Sequence, residues 1–439
     1  MKLENPLNVK PHKSRRSRLA RALGEGVVVL PTAPECTRNA DTHYDYRWDS
    51  AFYYLTGFRE PEAVLVMRLG AKPRSILFCR EKNLEREIWD GYRHGPEQAR
   101  LLFGFDEAYP YGELDQRLPD LLADQEVLHT PVGSDATWDQ RVAGWLNAVR
   151  ARVRTGVTAP AQIRDVRAAV NDMRLVKDEH EIAVMRRAAE ISSDAHIRAM
   201  RSAAPGQREY QVEAELLHEF LSNGAHAPAY GSIVASGANA CVLHYRENSA
   251  ELHKGDLLLI DAGCELDSYA SDITRTFPIA GRFSDVQRDV YELVLASQEA
   301  AIKAVRPNAD FIAYHDAATR VLVQGLIDFK LCKGSVDGVL EDGSYKQFYM
   351  HRTGHWLGLD VHDAGDYMQK GKWRKLKPGM VLTVEPGLYI RPASNVPKHF
   401  WNIGVRIEDD VLVTPKGREV LTASCPKRVK DVEAAVLDR

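Results

Sequence analysis

Residues 254–263 read Lys-Gly-Asp-Leu-Leu-Leu-Ile-Asp-Ala-Gly, and residues 378–387 read Pro-Gly-Met-Val-Leu-Thr-Val-Glu-Pro-Gly. At an offset of 124 residues Gly255 meets Gly379, Asp261 meets Glu385, and Gly263 meets Gly387. In each copy a glycine turn feeds an apolar run, the run delivers one carboxylate, and a second glycine follows. A carboxylate at the end of an apolar run is costly to bury unless a cation or hydrogen bonds compensate it. Two of them on repeated strands make a metal centre the first hypothesis.

The repeat extends to the elements around each strand. After Lys177 a helical stripe carries Ile182, Met185, Ala189, Ser192 and Ala199, ends at Pro205-Gly206, and gives way to a second helix over 209–221. A strand-rich block then runs to Phe277. Helices return at 284–305, with Val286, Val290, Leu293, Val294 and Ala301 at helical spacing, and at 312–329, before a second strand-rich block over 349–413. Helix, helix, strands, twice over, predicts a pseudo-two-fold α+β domain. Upstream, 27–30, 63–67 and 75–78 read as buried strands. Residues 84–90 read as a helix, as do 114–122 despite Pro119, which together predict an α/β domain. At 439 residues the chain exceeds the roughly 250–300 at which single cores split. Two domains are expected, 1–172 and 173–439, with the charged, Pro160-containing stretch 153–176 as connector.

Hydrophobic residues make up 44% and charged residues 27%, with a net charge of −3, which is ordinary for a soluble globular protein and predicts no general affinity for nucleic acid or membranes. Cys36, Cys79, Cys241, Cys264, Cys332 and Cys425 are scattered without a Cys-x-x-Cys pair, which favours free thiols in a reducing compartment. Cys264, close to Asp261, reads as core filling. The basic segment up to Arg21 reads as a surface helix entering the first strand, since Gly24-Glu25-Gly26 follows in place of a secretory apolar region. The uncharged run 220–245 is broken by Pro228, glycines, asparagines and histidines, so it is not a membrane span. A cytoplasmic protein is expected.

Asp261 and Asp272 flank the polar turn Glu265-Leu266-Asp267-Ser268. A hairpin centred between Leu266 and Asp267 places them directly opposite, with Cβ atoms about 4.5–5.5 Å apart. The bland alternative is a solvated hairpin with two unrelated acids, and the apolar run before Asp261 argues against it. Glu385 stands at the repeat-equivalent position, and Glu408 follows in Gly404-Val405-Arg406-Ile407-Glu408. His351, His355 and His362 share a glycine-interrupted segment. The His-x-x-x-His spacing of 351 and 355 is not the zinc-helix motif, because Arg352 stands where that motif needs glutamate and Gly354 and Gly358 disfavour a helix. Asp261, Asp272, Glu385 and Glu408 supply four negative charges, enough for two divalent cations. Carboxylates with one imidazole favour Mn²⁺, with Co²⁺ or Zn²⁺ as competitors. Two metals roughly 3.5–4 Å apart activate a shared water and polarise a carbonyl, so hydrolysis is the expected reaction class.

Ile260-Asp261-Ala262-Gly263, Ser271-Asp272-Ile273-Thr274-Arg275-Thr276, Gly354-His355, Val384-Glu385-Pro386-Gly387 and Arg406-Ile407-Glu408-Asp409 resemble the five metal-ligand motifs of the dinuclear pita-bread metallopeptidases. That family includes aminopeptidase P, prolidase and methionine aminopeptidase. The resemblance covers essentially the whole chain. Arg38-Asn39-Ala40-Asp41, residues 52–58, Leu243-His244-Tyr245 and the 355–363 segment are similar to bacterial aminopeptidase P in particular.

The resemblance implies an α/β N-terminal domain (creatinase/aminopeptidase P-like) for oligomerisation and substrate access, followed by a pita-bread catalytic domain. It implies that Asp261 and Asp272 hold one metal, that Asp272 and Glu408 bridge to a second, and that His355 and Glu385 complete it. Glu385 would take a proton from a metal-bridging water or hydroxide, and His244, His351 and His362 would line the site, with His362 facing the developing oxyanion. Tyr389 and Arg406 would flank a proline pocket, and Trp89 would reach a neighbouring subunit of a dimer or tetramer. The implied activity is X-Pro aminopeptidase, acting on peptides with proline at the second position. Prolidase is the alternative, and a catalytically dead module that binds protein partners is a remoter one.

Overall fold

The computed structural model describes residues 9–279 and 281–438. They divide into two compact units, one ending at Arg174 and the other beginning at Leu175.

The first unit is built on a six-stranded mixed sheet in the order 107–110, 74–79, 64–68, 27–31, 127–129, 162–164. The last strand, Gln162–Arg164, lies within the stretch expected to be a connector. It pairs in parallel with Val127–His129, so the charged segment extends the sheet. Leu114–Leu122 is helical despite Pro119, because Leu114, Leu118 and Leu122 bury one stripe in the core. Burial worth about 1.5–3 kcal/mol per leucine outweighs one lost backbone bond.

The basic N-terminal segment forms a helix, Lys10–Leu23, but it is not a surface helix. Arg15 and Arg16 are buried. Arg16 donates to the carbonyls of Leu55, Phe103 and Gly104, and Arg15 to that of Tyr54. These acceptors end the helices Ser50–Thr56 and Gly95–Phe103, whose last carbonyls lack intrahelical partners and carry the negative end of the dipole. Burial lowers the Arg16 pKa to about 10.

In the second unit the two longest helices begin with a capping box, Asp178 with Glu181 before Glu179–Ser202 and Ser284 with Gln287 before Asp285–Ala304. The repeat is visible in the backbone. Gly255 and Gly379 adopt matching left-handed conformations, φ 98° and 90°, and launch the strands Leu257–Asp261 and Val381–Val384. Each strand pairs antiparallel with a later one, Thr274–Pro278 in the first half and Asp409–Thr414 in the second. The pita-bread fold is thus present, as expected.

The hairpin register differs from the expectation. Glu265 pairs with Ala270 and Leu266 with Tyr269, so the turn is Asp267-Ser268, both at positive φ. Asp261 therefore faces Thr274, not Asp272. Two consecutive left-handed residues make the tight turn that matches strand twist, and this moves the pairing one residue onward.

The halves meet along Thr274–Pro278. Thr274 O accepts the Glu408 N–H at 3.1 Å, and Thr276 Oγ1 donates to Arg406 O at 3.0 Å. Beneath them Arg275 is fully buried and satisfies every N–H internally. Its acceptors are the carbonyls of Thr274, Glu408, Cys425 and Pro426 and the carboxylate of Asp409, the last at 2.8 Å. Asp409 also accepts from Lys427, Gln298 and Thr422, and its pKa is held below the usual range by Arg275 and Lys427 despite burial. Asp409→Ala strands the Arg275 charge in the core. Unfolding of metal-loaded protein in urea is expected to show a loss of about 3–5 kcal/mol, and a change below about 1 kcal/mol would contradict this role.

Candidate metal centre

Asp261 ends its strand and Glu385 follows its own, so the repeat delivers one carboxylate from each half to one place. Asp272 precedes Thr274–Pro278, and Glu408 precedes Asp409–Thr414. His355 comes from the non-helical segment after Tyr349. Its backbone N–H donates to Thr383 Oγ1 at 3.0 Å, and its carbonyl accepts from Thr383 N. Ligand atoms of Asp272, His355 and Glu408 lie within 4.8 Å of one another. His355 Nε2 is 3.4 Å from Asp272 and 3.6 Å from Glu385. All five residues line one cavity of about 850 Å³, together with His244, His351, His362 and Arg406.

Whether this set fits a divalent cation can be judged from its protons. His355 Nδ1 donates to the Trp356 carbonyl at 2.9 Å, which orients the ring so that Nε2 faces the carboxylates. Burial and mutual repulsion push the pKa of Asp272 and Glu408 up and that of Glu385 to about 7. Burial lowers the His355 pKa, but Asp272 and Glu385 outweigh it and raise it to about 9. Carboxylates that repel and an imidazole aimed between them are what a bound dication would reconcile. The donor set fits.

Threonine hydroxyls steady two of the carboxylates, one from the other half and one from two residues before. Thr274 Oγ1 donates to Glu408 at 2.6 Å, and Thr383 Oγ1 to Glu385 at 3.2 Å. Tyr230 OH, which sequence reasoning missed, touches both Asp261 and Asp272 and has one proton for the two carboxylates.

Arg406 lines the cavity, pairing with Asp261 at 2.6 Å and donating to Tyr389 OH at 3.0 Å. Tyr389 lies fully buried behind the cavity. Its OH reaches His351 Nε2 at 2.8 Å, and His351 Nδ1 reaches the Arg352 carbonyl at 2.7 Å. Burial, then Arg406, lowers the His351 pKa to about 4, so the ring is neutral. His362 stands edge-on to His355, ring centres 4.4 Å apart, and its pKa is lowered by burial and then by His355. His244 and His362 are exposed to the cavity. Trp89 belongs to the first unit, where it is 83% exposed on the helix Leu84–Asp90 beside exposed Leu84, Ile88 and Tyr92.

The His244 loop is held by a second missed residue. Glu209, fully buried at the start of Glu209–Ser222, accepts five hydrogen bonds, from Ser236 N and Oγ, Asn239, Tyr245 OH and Ala250 N.

Residues 183–415 match the family model described as metallopeptidase family M24, and residues 12–129 match that of the aminopeptidase P N-terminal domain. The chain belongs to metallopeptidase family M24. Among its relatives, Xaa-Pro aminopeptidase of Escherichia coli is 46% identical over 426 residues, covering 96% of each chain. Xaa-Pro aminopeptidase of Haemophilus influenzae is 43% identical, again over 96% of each. Aminopeptidase PepP of Pseudomonas aeruginosa superposes with a TM-score of 0.97 at 48% identity over 98% of both chains. E. coli aminopeptidase P with the inhibitor Pro-Leu gives 0.95 at 44%, over 99% of both. M24 membership makes the chain a metal-dependent hydrolase, with divalent metal ions as its cofactor class. No helix among the described residues is long and apolar enough to cross a membrane.

Two outcomes follow for the protein in solution. Glu209→Ala leaves five donors without their acceptor; about 2–4 kcal/mol of stability is lost, and hydrogen exchange accelerates over 236–250. The second concerns pH. Folded-state pKa values raised above their unfolded values contribute stability that is lost as pH rises through the folded value. Metal-stripped protein should therefore lose thermal stability from about pH 4.5 to 7 through Glu385 and from about pH 6.5 to 9 through His355. A bound dication flattens that slope, and equal slopes with and without metal would refute the assignment.

Proposed function

We propose that this chain is a metal-dependent X-Pro aminopeptidase that hydrolyses the bond between an N-terminal residue and a following proline. What carries this reading is the convergence of Asp261, Asp272, His355, Glu385 and Glu408 on one cavity, in a chain 46% identical to an Xaa-Pro aminopeptidase over nearly its whole length.

In this reading Asp261, Asp272, His355, Glu385 and Glu408 would together hold two divalent cations. When bound, the metals neutralise the carboxylates, polarise the scissile carbonyl and lower the pKa of attacking water. The hard donor set favours Mn²⁺, with Co²⁺ and Zn²⁺ as competitors; the Escherichia coli relative has also been solved zinc-substituted, in complex with product.

Glu385 accepts the proton of the attacking water on a carboxylate oxygen and passes it to the leaving proline nitrogen, for which a pKa raised toward neutrality suits it. His362, neutral and exposed to the cavity, offers a ring N–H to the oxygen that gains charge. His244 and His351 orient the peptide. Arg406 flanks the proline, and Tyr389 fixes Arg406 and His351 from behind. A dedicated proline pocket is needed because the tertiary X-Pro amide has no N–H and populates both isomers. The reading extends to a cytoplasmic homo-oligomer, dimer or tetramer. The exposed apolar side chains around Trp89 support an interface, and a light-scattering mass tests it.

The deciding assay compares an X-Pro-Pro tripeptide with an X-Pro dipeptide across a metal titration. Cleavage of the tripeptide is expected, with kcat lowered about 10²–10⁴-fold in Glu385→Ala. Activity confined to the dipeptide would make the protein a prolidase instead.

A further inference from the structure

Arg352 and Thr353 are neighbours with opposite surroundings. Thr353 is buried, its hydroxyl bonded to His315 Nδ1 at 2.8 Å and Tyr349 OH at 2.5 Å, its carbonyl accepting the Glu385 N–H at 2.8 Å. Thr353 thus anchors a proposed metal ligand. Arg352 is exposed and lines the same cavity, its guanidinium 5.7 Å from the centre of the Trp373 ring.

Among the described residues no carboxylate forms an ion pair with Arg352. Asp316 feels its charge without pairing, under a pKa raised mainly by burial. His315, bonded to the neighbouring Thr353, has its pKa lowered to about 4 by burial and then by Arg352, so it is neutral and supplies no counter-charge. A guanidinium over an aromatic face keeps its in-plane N–H groups free for a planar, bidentate acceptor.

The cavity is therefore polarised, with a carboxylate cluster at the metal centre and an unpaired cation on its aromatic wall. A peptide has the complementary polarity, an ammonium at its start and a carboxylate at its end. The distances agree. Arg352 is three residues from His355, which puts their Cα atoms within about 11 Å. Two extended residues beyond the scissile bond cover about 7 Å, and the arginine side chain spans the remainder.

We propose that Arg352, seated over Trp373, is a specificity-determining residue that receives a substrate carboxylate beyond the proline, namely the C-terminal carboxylate of a short peptide. This inference rests on the X-Pro reading above.

The test uses metal-loaded protein and four peptides: X-Pro-Leu as free acid and as amide, and X-Pro-Glu-amide against X-Pro-Gln-amide. The free acid is expected to be favoured over its amide by about five- to tenfold in kcat/KM, expressed in KM and weakened by salt. Arg352→Gln brings the ratio close to one, and Arg352→Lys retains part of it. Preference for the glutamate peptide over its glutamine twin, without an acid-over-amide preference, assigns Arg352 to an acidic side chain instead of the terminus. If X-Pro bonds are cut with no preference in either pair, or if Arg352→Gln preserves the preference, the proposal is overturned while the X-Pro reading stands. If none of the four peptides is cut, the X-Pro reading falls and takes this one with it.

Discussion

The second unit depends on one buried ion pair. Arg275 and Asp409 sit at the seam between the two halves of the repeat, each without solvent exposure. A buried pair is worth its desolvation only if the remaining hydrogen-bonding capacity is used. Here it is: the guanidinium ties its own strand to the backbone of 408 and of 425–426 and to the Asp409 carboxylate, while Asp409 collects Lys427, Gln298 and Thr422. Glu408 and Asp272 flank this knot. Two residues of the proposed centre therefore flank a densely bonded seam, where a shift of one strand against the other would break several charged contacts together.

Rigidity matters because the ligands repel one another. Four carboxylates share the cavity with Arg406 and His355 as the cations in contact with them. Left to relax, they would turn apart toward water. Thr274, Thr383 and the strand backbones hold them inward, so repulsion is stored in the fold until a dication relieves it. The same Thr383 hydroxyl receives the His355 N–H, which couples the imidazole to the strand that delivers Glu385.

How much of this could be read from the chain depends on the range of the interactions involved. The duplicated strands were legible because glycine turn, apolar run and carboxylate lie within ten residues. The supporting threonines were legible in principle, since period-two alternation puts Thr383 on the face of Glu385 and Thr274 on that of Asp272. The hairpin register was not, because Asp267 and Ser268 both adopt positive φ and their residue types do not announce it. Arg15 and Arg16 looked like surface charges because their acceptors, the last carbonyls of two helices, lie about forty and ninety residues away in the chain. Tyr230 and Glu209 carry no local signal; what defines them is the set of groups that converge on them in space.

Asp261, Arg406, Tyr389 and His351 form a chain whose direction is fixed. Arg406 can only donate, so it points N–H groups at Asp261 and at the Tyr389 oxygen. That leaves the Tyr389 proton for His351 Nε2, and the remaining ring proton for the Arg352 carbonyl. Every hydrogen has one place to go. The four side chains consequently behave as a single polarised unit, in which replacing one member leaves its neighbour's proton or lone pair facing the wrong way. Drift at any one of these positions then has to be matched at the next, so the path from the metal ligand to the cavity wall is a unit that changes as a whole.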